Sequence, residues 1–204
     1  MKKLIFLLAI FWSLENAHAQ EVYFSVGKNF TTYNFKDSIG ASNPNLKNGT
    51  GNFYELGFIQ PLENDKFSYS LGLALNEYNN VGGNSVNSYS WNTEYLGFQG
   101  GITYSIIERS DFDILPKFGL NLATIISGKE SINGTYYDLT KEKEFSGLLV
   151  TPSLGVQIKY NLSSAGFISF GYNYCIGLNP TNATAQKLSF STSQLQFGVH
   201  YAFN

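Results

Sequence analysis

Few residues of this 204-residue chain have the types and spacing for chemistry. It carries two histidines, His18 and His200, and one cysteine, Cys175. A structural zinc site takes four nitrogen or sulfur ligands in a tetrahedron, so no metal site is expected, and no cofactor or catalytic residue is assigned. A lone cysteine allows no intramolecular disulfide. The remaining candidates are charges in unusual places. Glu55, Lys117 and Lys159 each fall inside apolar-alternating segments ("NFYELGFIQ", "LPKFGLNLATII", "LLVTPSLGVQIKY"). With Gln157, Gln196 and His200 they share the parity occupied by small and polar residues. An isolated buried charge is expensive, so Glu55 is expected to pair with Lys117 or Lys159 and to plug whatever space they enclose.

The elements that carry these residues follow from hydrophobic periodicity. In "QLQFGVHYAFN", Leu195, Phe197, Val199, Tyr201 and Phe203 fall on one parity and Gln194, Gln196, Gly198, His200 and Ala202 on the other. Period-2 alternation puts successive side chains on opposite faces of a strand. The same pattern opens "EVYFSVGKNF" and recurs in "NFYELGFIQ", "FSYSLGLALNEY", "YLGFQGGITYSI", "LPKFGLNLATII", "LLVTPSLGVQIKY" and "GFISFGYNYCI". That makes eight strands, each near the 9–11 residues that a tilted transmembrane strand needs. Connections alternate in length. Long polar ones lie near 36–51, 79–88, 128–146 and 177–188; short ones such as "PLENDK" and "NLSSAG" lie near 61–66, 107–112 and 161–166.

Composition and glycine placement decide which solvent meets the apolar face. Charged residues are 14% of the chain and aromatics 16%, against about 25% charged in ordinary soluble domains. The parity opposite the apolar one holds Gly27, Gly57, Gly72, Gly97, Gly101, Gly119, Gly155, Gly171 and Gly198. Glycine within a strand marks close approach of other groups, and an eight-stranded barrel has a bore only wide enough for side chains. The glycine-rich face therefore points inward and the apolar face toward lipid. The N-terminal "MKKLIFLLAIFWSLENAHAQ" has two lysines, a short apolar run and Ala17-His18-Ala19, the layout of a cleaved secretory signal. Residues 1–19 are read as that signal and 20–204 as one barrel domain. A net charge of −2 gives no basic patch for nucleic acid. Two places break the pattern. The apolar parity of the first strand changes after Gly27, and an unbroken phase would leave Lys28 facing lipid; a bulge between Gly27 and Thr31 is expected to repair this. Pro116 is expected to begin its strand, and Pro152 to lie near the outer rim, because each removes a ladder donor. The triplets at Asn48, Asn133 and Asn182, the tripeptide Asp37-Ser38-Ile39 and the run "TKEKE" are read as features of solvated loops.

Signal, alternating strands, loop order and terminal "LQFGVHYAF" together resemble the small outer-membrane β-barrels of Gram-negative bacteria, of the OmpA transmembrane domain and OmpX type, with PorT-like barrels also similar. The resemblance implies an all-β, eight-stranded antiparallel up-and-down barrel in the outer membrane, with long extracellular loops and short periplasmic turns. It also implies that Leu195, Phe197, Val199, Tyr201 and Phe203 form the signal read by the barrel-insertion machinery, with Asn204 an extra residue beyond the usual aromatic end. Its expected partners are outer-membrane lipid and lipopolysaccharide, that machinery, and extracellular or envelope proteins; the barrel is expected to be a monomer. The implied function is non-enzymatic, structural or surface-contacting, with a plugged polar lumen. Alternatives are a small porin, an accessory barrel of an export system, or a lipid A-modifying enzyme; the last needs a histidine near the outer leaflet, whereas His200 falls at the periplasmic end. The folded protein should fractionate with the outer membrane and change its gel mobility on boiling in detergent; a soluble protein with no such shift would exclude a barrel.

Overall fold

The computed structural model describes residues 20–36, 39–40, 46–62, 66–83, 88–109, 111–181 and 187–203; residues 1–19, expected to be the signal, the triplet at Asn182, and Asp37 and Ser38 lie outside them. The strands are β1 (Gln20–Lys36), β2 (Leu46–Pro61), β3 (Phe67–Gly83), β4 (Ser88–Tyr104), β5 (Ile107–Glu108), β6 (Phe112–Ile132), β7 (Thr135–Asp138), β8 (Leu149–Asn161), β9 (Gly166–Leu178) and β10 (Lys187–Phe203). Every pairing is antiparallel. Neighbours in sequence pair in turn, β1 pairs with β10, and β4 pairs with β6. Eight strands thus close into a ring, and the two short ones, β5 and β7, are appendages of β6. Closure leaves no strand edge open, which lipid demands because it offers no partner to a bare N–H or C=O. Starting at Lys28, the ladder leads through Asn52, Glu77 and Glu94 to Ser127 on β6, and the other way through Leu195, Tyr172 and Val156 to Pro116. The offset between those two arrivals is the stagger that tilts the strands.

Strands reach further outward than periodicity suggested. Residues 46–50, 79–83 and 128–132, expected in loops, continue β2, β3 and β6. The Asn48 triplet therefore lies on a strand. Asn133 and Gly134, both at positive φ (51° and 84°), make the tight turn that folds β7 back on β6, a conformation that Asn-Gly adopts readily. On the opposite side β2 and β3, β4 and β6, and β8 and β9 are joined by the short connections at 62–66, 105–111 and 162–165.

The first strand corrects the sequence reading. β1 pairs residue by residue with β10 from Gln20 to Lys36 and with β2 from Glu21 to Thr31, without a bulge. Its phase never changes: Tyr33 points inward at 3% exposure, because the outer end of the bore is lined with aromatic rather than polar groups. Without the bulge, Lys28 faces out after all, where Nζ donates to Asn52 Oδ1 at 2.5 Å. Asn52 in turn donates to the Glu77 carboxylate at 2.9 and 3.0 Å. This polar row marks the outward border of the apolar belt. The bulges fall elsewhere, between Asn48 and Phe53 on β2 and at Ile126 on β6, between the pairs Glu94–Ser127 and Tyr95–Ile125. Pro116 also differs from expectation. It sits inside β6, opposite Val156, just before the β4 ladder begins at Lys117. Pro152 occupies a gap in the β8–β9 ladder, which pairs at Val150 and Ser153 but not between.

Exposure settles the faces. Leu56, Leu73, Phe98, Phe118, Leu154, Phe170 and Phe197 are 46–73% exposed on the outer wall, while Glu55, Ala74, Asn121 and Asn173 beside them are buried. An apolar surface running round the whole ring far exceeds the patches that soluble monomers carry. Aromatic pairs rim its inner edge, Phe67 with Tyr104 and Tyr201 with Phe203, at 4.7 and 5.2 Å between ring centroids. Leu73 lies midway between that rim and Glu77. Leu73→Arg should therefore destabilise the folded barrel by about 2–4 kcal/mol, as charges at the bilayer midplane do, measured by denaturant unfolding from vesicles. The cost should fall in thinner bilayers; a cost independent of thickness would place Leu73 off the lipid face.

Candidate functional site in the barrel lumen

The bore is filled in three layers. At the periplasmic end the organising group is Glu21. One carboxylate oxygen accepts from Lys159 Nζ, and the other lies 2.6 Å from His200 Nδ1. His200 Nε2 lies 2.7 Å from Ser169 Oγ, the Tyr23 ring stacks on the imidazole at 5.6 Å, and Lys159 Nζ sits 4.0 Å above the Phe167 ring. One carboxylate thereby ties β1 to β8 and, through His200, to β10 and β9. Gly198 makes this possible: a Cβ there would come within 2.6 Å of Ser169 Oγ and 2.8 Å of His200 Nε2. Below the cluster a cavity of about 270 Å³, lined by Glu21, Lys66, Asp113, Lys159 and His200 among others, faces the short turns.

Glu55 sits one step inward, 2% exposed. It accepts from the Tyr23 hydroxyl at 2.5 Å, whose ring crosses Gly57 so closely that a Cβ would meet the hydroxyl oxygen at 2.7 Å. The expected Glu55–lysine pair does not form. Lys159 is taken by Glu21, and no carboxylate among the described residues lies within ion-pair distance of Lys117. Charge spacing along the chain could not reveal this, because Glu21 lies 138 positions from Lys159 and 179 from His200, and only the closure of β1 on β10 brings them together.

The middle layer is a net of amides. Gln194 Nε2 donates to Asn29 Oδ1 at 2.8 Å and to Asn76 Oδ1 at 3.2 Å. Gln196 and Asn173 donate to Gln194 Oε1 at 2.5 and 3.3 Å. These partners come from β1, β3, β9 and β10 and span one side of the wall. Of the sequence candidates, His200 and Lys159 join the Glu21 cluster, Gln196 joins the amides, Gln157 lines the cavity, and Lys117 stands buried on the other wall.

The outer layer is aromatic and was not anticipated as a layer. Tyr33, Tyr78, Trp91, Tyr95 and Phe190 converge with Leu149. Leu139 and Phe145, from the segment after β7, complete it from above, 3% and 7% exposed. Phe145 packs edge-on against Trp91 at 5.5 Å, and its carbonyl accepts from the Tyr95 hydroxyl at 3.1 Å. The segment is anchored by Asn179 Nδ2, which donates to the Ser146 carbonyl at 2.7 Å. Asp138 accepts from the hydroxyl and backbone N–H of Thr140, and those bonds hold its carboxyl below the usual range. The available signal was parity: Tyr33, Tyr78, Trp91 and Tyr95 all stand in line with the inward glycines.

Closed ring, lipid-facing belt and packed polar bore define a transmembrane β-barrel of the eight-stranded outer-membrane class. The chain belongs to the outer membrane protein beta-barrel domain family, whose model matches residues 4–203, and this places it in the outer membrane. Its fold is similar to that of Neisserial surface protein A, at 13% identity and a TM-score of 0.48, covering 88% of this chain and 97% of that one. It is similar also to the attachment invasion locus protein Ail of Yersinia pestis, at 15% identity and 0.41, covering 89% and 98%. A major outer membrane protein from Thermus thermophilus matches at 13% identity and 0.49, covering 91% and 100%. No curated protein matches the chain in sequence.

Glu21→Ala should cost about 3–5 kcal/mol, since it strands a lysine and a histidine inside the bore. Glu55→Ala, which breaks one hydrogen bond, should cost about 1–3 kcal/mol. Unfolding in urea from lipid vesicles ranks the two, and a larger loss at Glu55 would move the organising charge to that residue.

Proposed function

We propose that the protein is a non-enzymatic outer-membrane barrel with a closed lumen, whose role is to hold its outward segments at the cell surface for contact with external or envelope partners. The supporting observation is the aromatic layer that Leu139 and Phe145 complete at the outer mouth. A bore stopped by close-packed rings passes no solute, while the strands continue beyond the polar row at Lys28 and Glu77 and raise the connections above the lipid. Purified protein in planar bilayers should therefore show no steady conductance. A stable open channel in the unmodified protein would put a porin function in its place.

One observation favours a second reading, a hydrolase. Ser169, His200 and Glu21 stand in the order nucleophile, base and orienting acid, at 2.7 and 2.6 Å, the relation that such catalysis uses. Access opposes it. Ser169 is 5% exposed and does not line the 270 Å³ cavity. A void bordered by Ser25, Lys117 and His200 holds only about 10 Å³, the space of one water rather than an acyl group. The trio serves as a brace between strands. A fluorophosphonate probe should leave Ser169 unlabelled in the folded barrel, and Ser169→Ala should lower stability; labelling that the substitution abolishes would establish the hydrolase.

A further inference from the structure

The two sides of the bore differ in how their polar groups are satisfied. On β1, β9 and β10 the amides bond one another. On β6 and β8 they do not. Asn121 is 2% exposed with neither amide atom bonded, and Thr151, opposite it in the ladder, has an unpartnered hydroxyl. Ser70 and Ser105, toward the periplasmic end, also have unpartnered hydroxyls. Ser105 and Gln157 line the periplasmic cavity, and Ser70 and Lys117 border the small void above it. Lys117 brings an ammonium into this wall with no carboxylate at ion-pair distance among the described residues. Buried amides, hydroxyls and ammonium groups without protein partners are satisfied by ordered water. Ser105, Lys117, Asn121 and Thr151 follow one another outward from the end of β4 along β6 and β8, whereas Asn80 on β3, also buried with neither amide atom bonded, lies off this line and outward of Tyr78. The path ends under Tyr78 and the aromatic layer.

We propose that the barrel is a one-ended aqueous well, reached by water from the periplasm along β6 and β8 as far as Cys175, and that the aromatic layer which Phe145 and Leu139 complete is the stopper that keeps it from opening outward. The well deepens the closed-lumen reading and rests on it for the stopper. Cys175 stands beside this wall, paired in register with Ser153 and 4% exposed. It is the only cysteine in the chain, so it reports the depth of the well without engineering.

The test uses silver ion, a small lipid-impermeant thiol reagent, in chloride-free buffer on the full mature chain in sealed vesicles. Ag⁺ replaces the thiol proton, forming S–Ag and releasing H⁺, and the extent is read as protection of Cys175 from a maleimide after denaturation. Orientation is read on a parallel sample by trypsin cleavage at exposed Lys141 and Lys143. Silver on the periplasmic side should modify Cys175 about tenfold or more faster than silver on the outer side, because a close-packed layer excludes a hydrated ion. Phe145→Ala with Leu139→Ala should raise the outer rate toward the periplasmic one. Asn121→Leu, which dries the path without touching the stopper, should slow the periplasmic rate and leave the outer one low. Modification from neither side would overturn the well while leaving a closed lumen intact. Modification from the outer side in the unmodified protein would overturn the closed lumen itself. An unchanged outer rate in a folded, heat-modifiable double variant would overturn the stopper, and if that variant does not fold, Phe145→Ser alone makes the same comparison.

Discussion

Everything in this structure depends on satisfying the backbone in a solvent that offers no hydrogen bonds. An open sheet edge in lipid leaves a row of N–H and C=O groups unpaired, each at a cost of several kcal/mol. The pairing of β1 with β10 and of β4 with β6 removes both edges. With a ring this small, closure then dictates a narrow bore, and the narrow bore dictates the inward residues. Glycines let Tyr23 and the Ser169–His200 contact lie against the wall, and amides and charges must find partners across the lumen or hold water.

The three layers divide the work of filling that bore. The Glu21 cluster joins four strands at the seam where the chain's first and last strands meet, so it braces the part of the ring formed by the contact most distant in sequence. The amide net ties the same side further out. The aromatic layer closes the outer end with dispersion and burial rather than charge, which suits a position open to changing ionic conditions. Each layer relies on the one geometry: an inward position on one strand lies within side-chain reach of positions two and three strands away.

Much of this was legible in the chain. Alternation marked the eight ring strands, their order of long and short connections and the lipid face, because period 2 is a local property of extended backbone and lipid imposes it on every strand. The same rule, applied too strictly, misled at β1. Tyr33 stands on the parity opposite Val22, Phe24 and Val26, which reads as a phase change only if every aromatic faces lipid; it faces an aromatic lumen instead. Pro152, expected near the outer rim, sits in a gap of the β8–β9 ladder, whereas Pro116 lies inside its strand because the neighbouring ladder starts only at Lys117.

The sequence by itself determined the class: which residues face lipid, how many strands can close, and which side carries the longer connections, all set by neighbours along the chain. Tertiary structure alone decided the partners within the lumen. Glu21 is separated from His200 by 179 positions and from Lys159 by 138; the stagger of the ring, not their spacing, brings them together. The same holds for Leu139 and Phe145, whose segment reads as a polar loop until it folds over the mouth. Parity tells a side chain that it points inward, but the shear of a closed barrel tells it whom it meets.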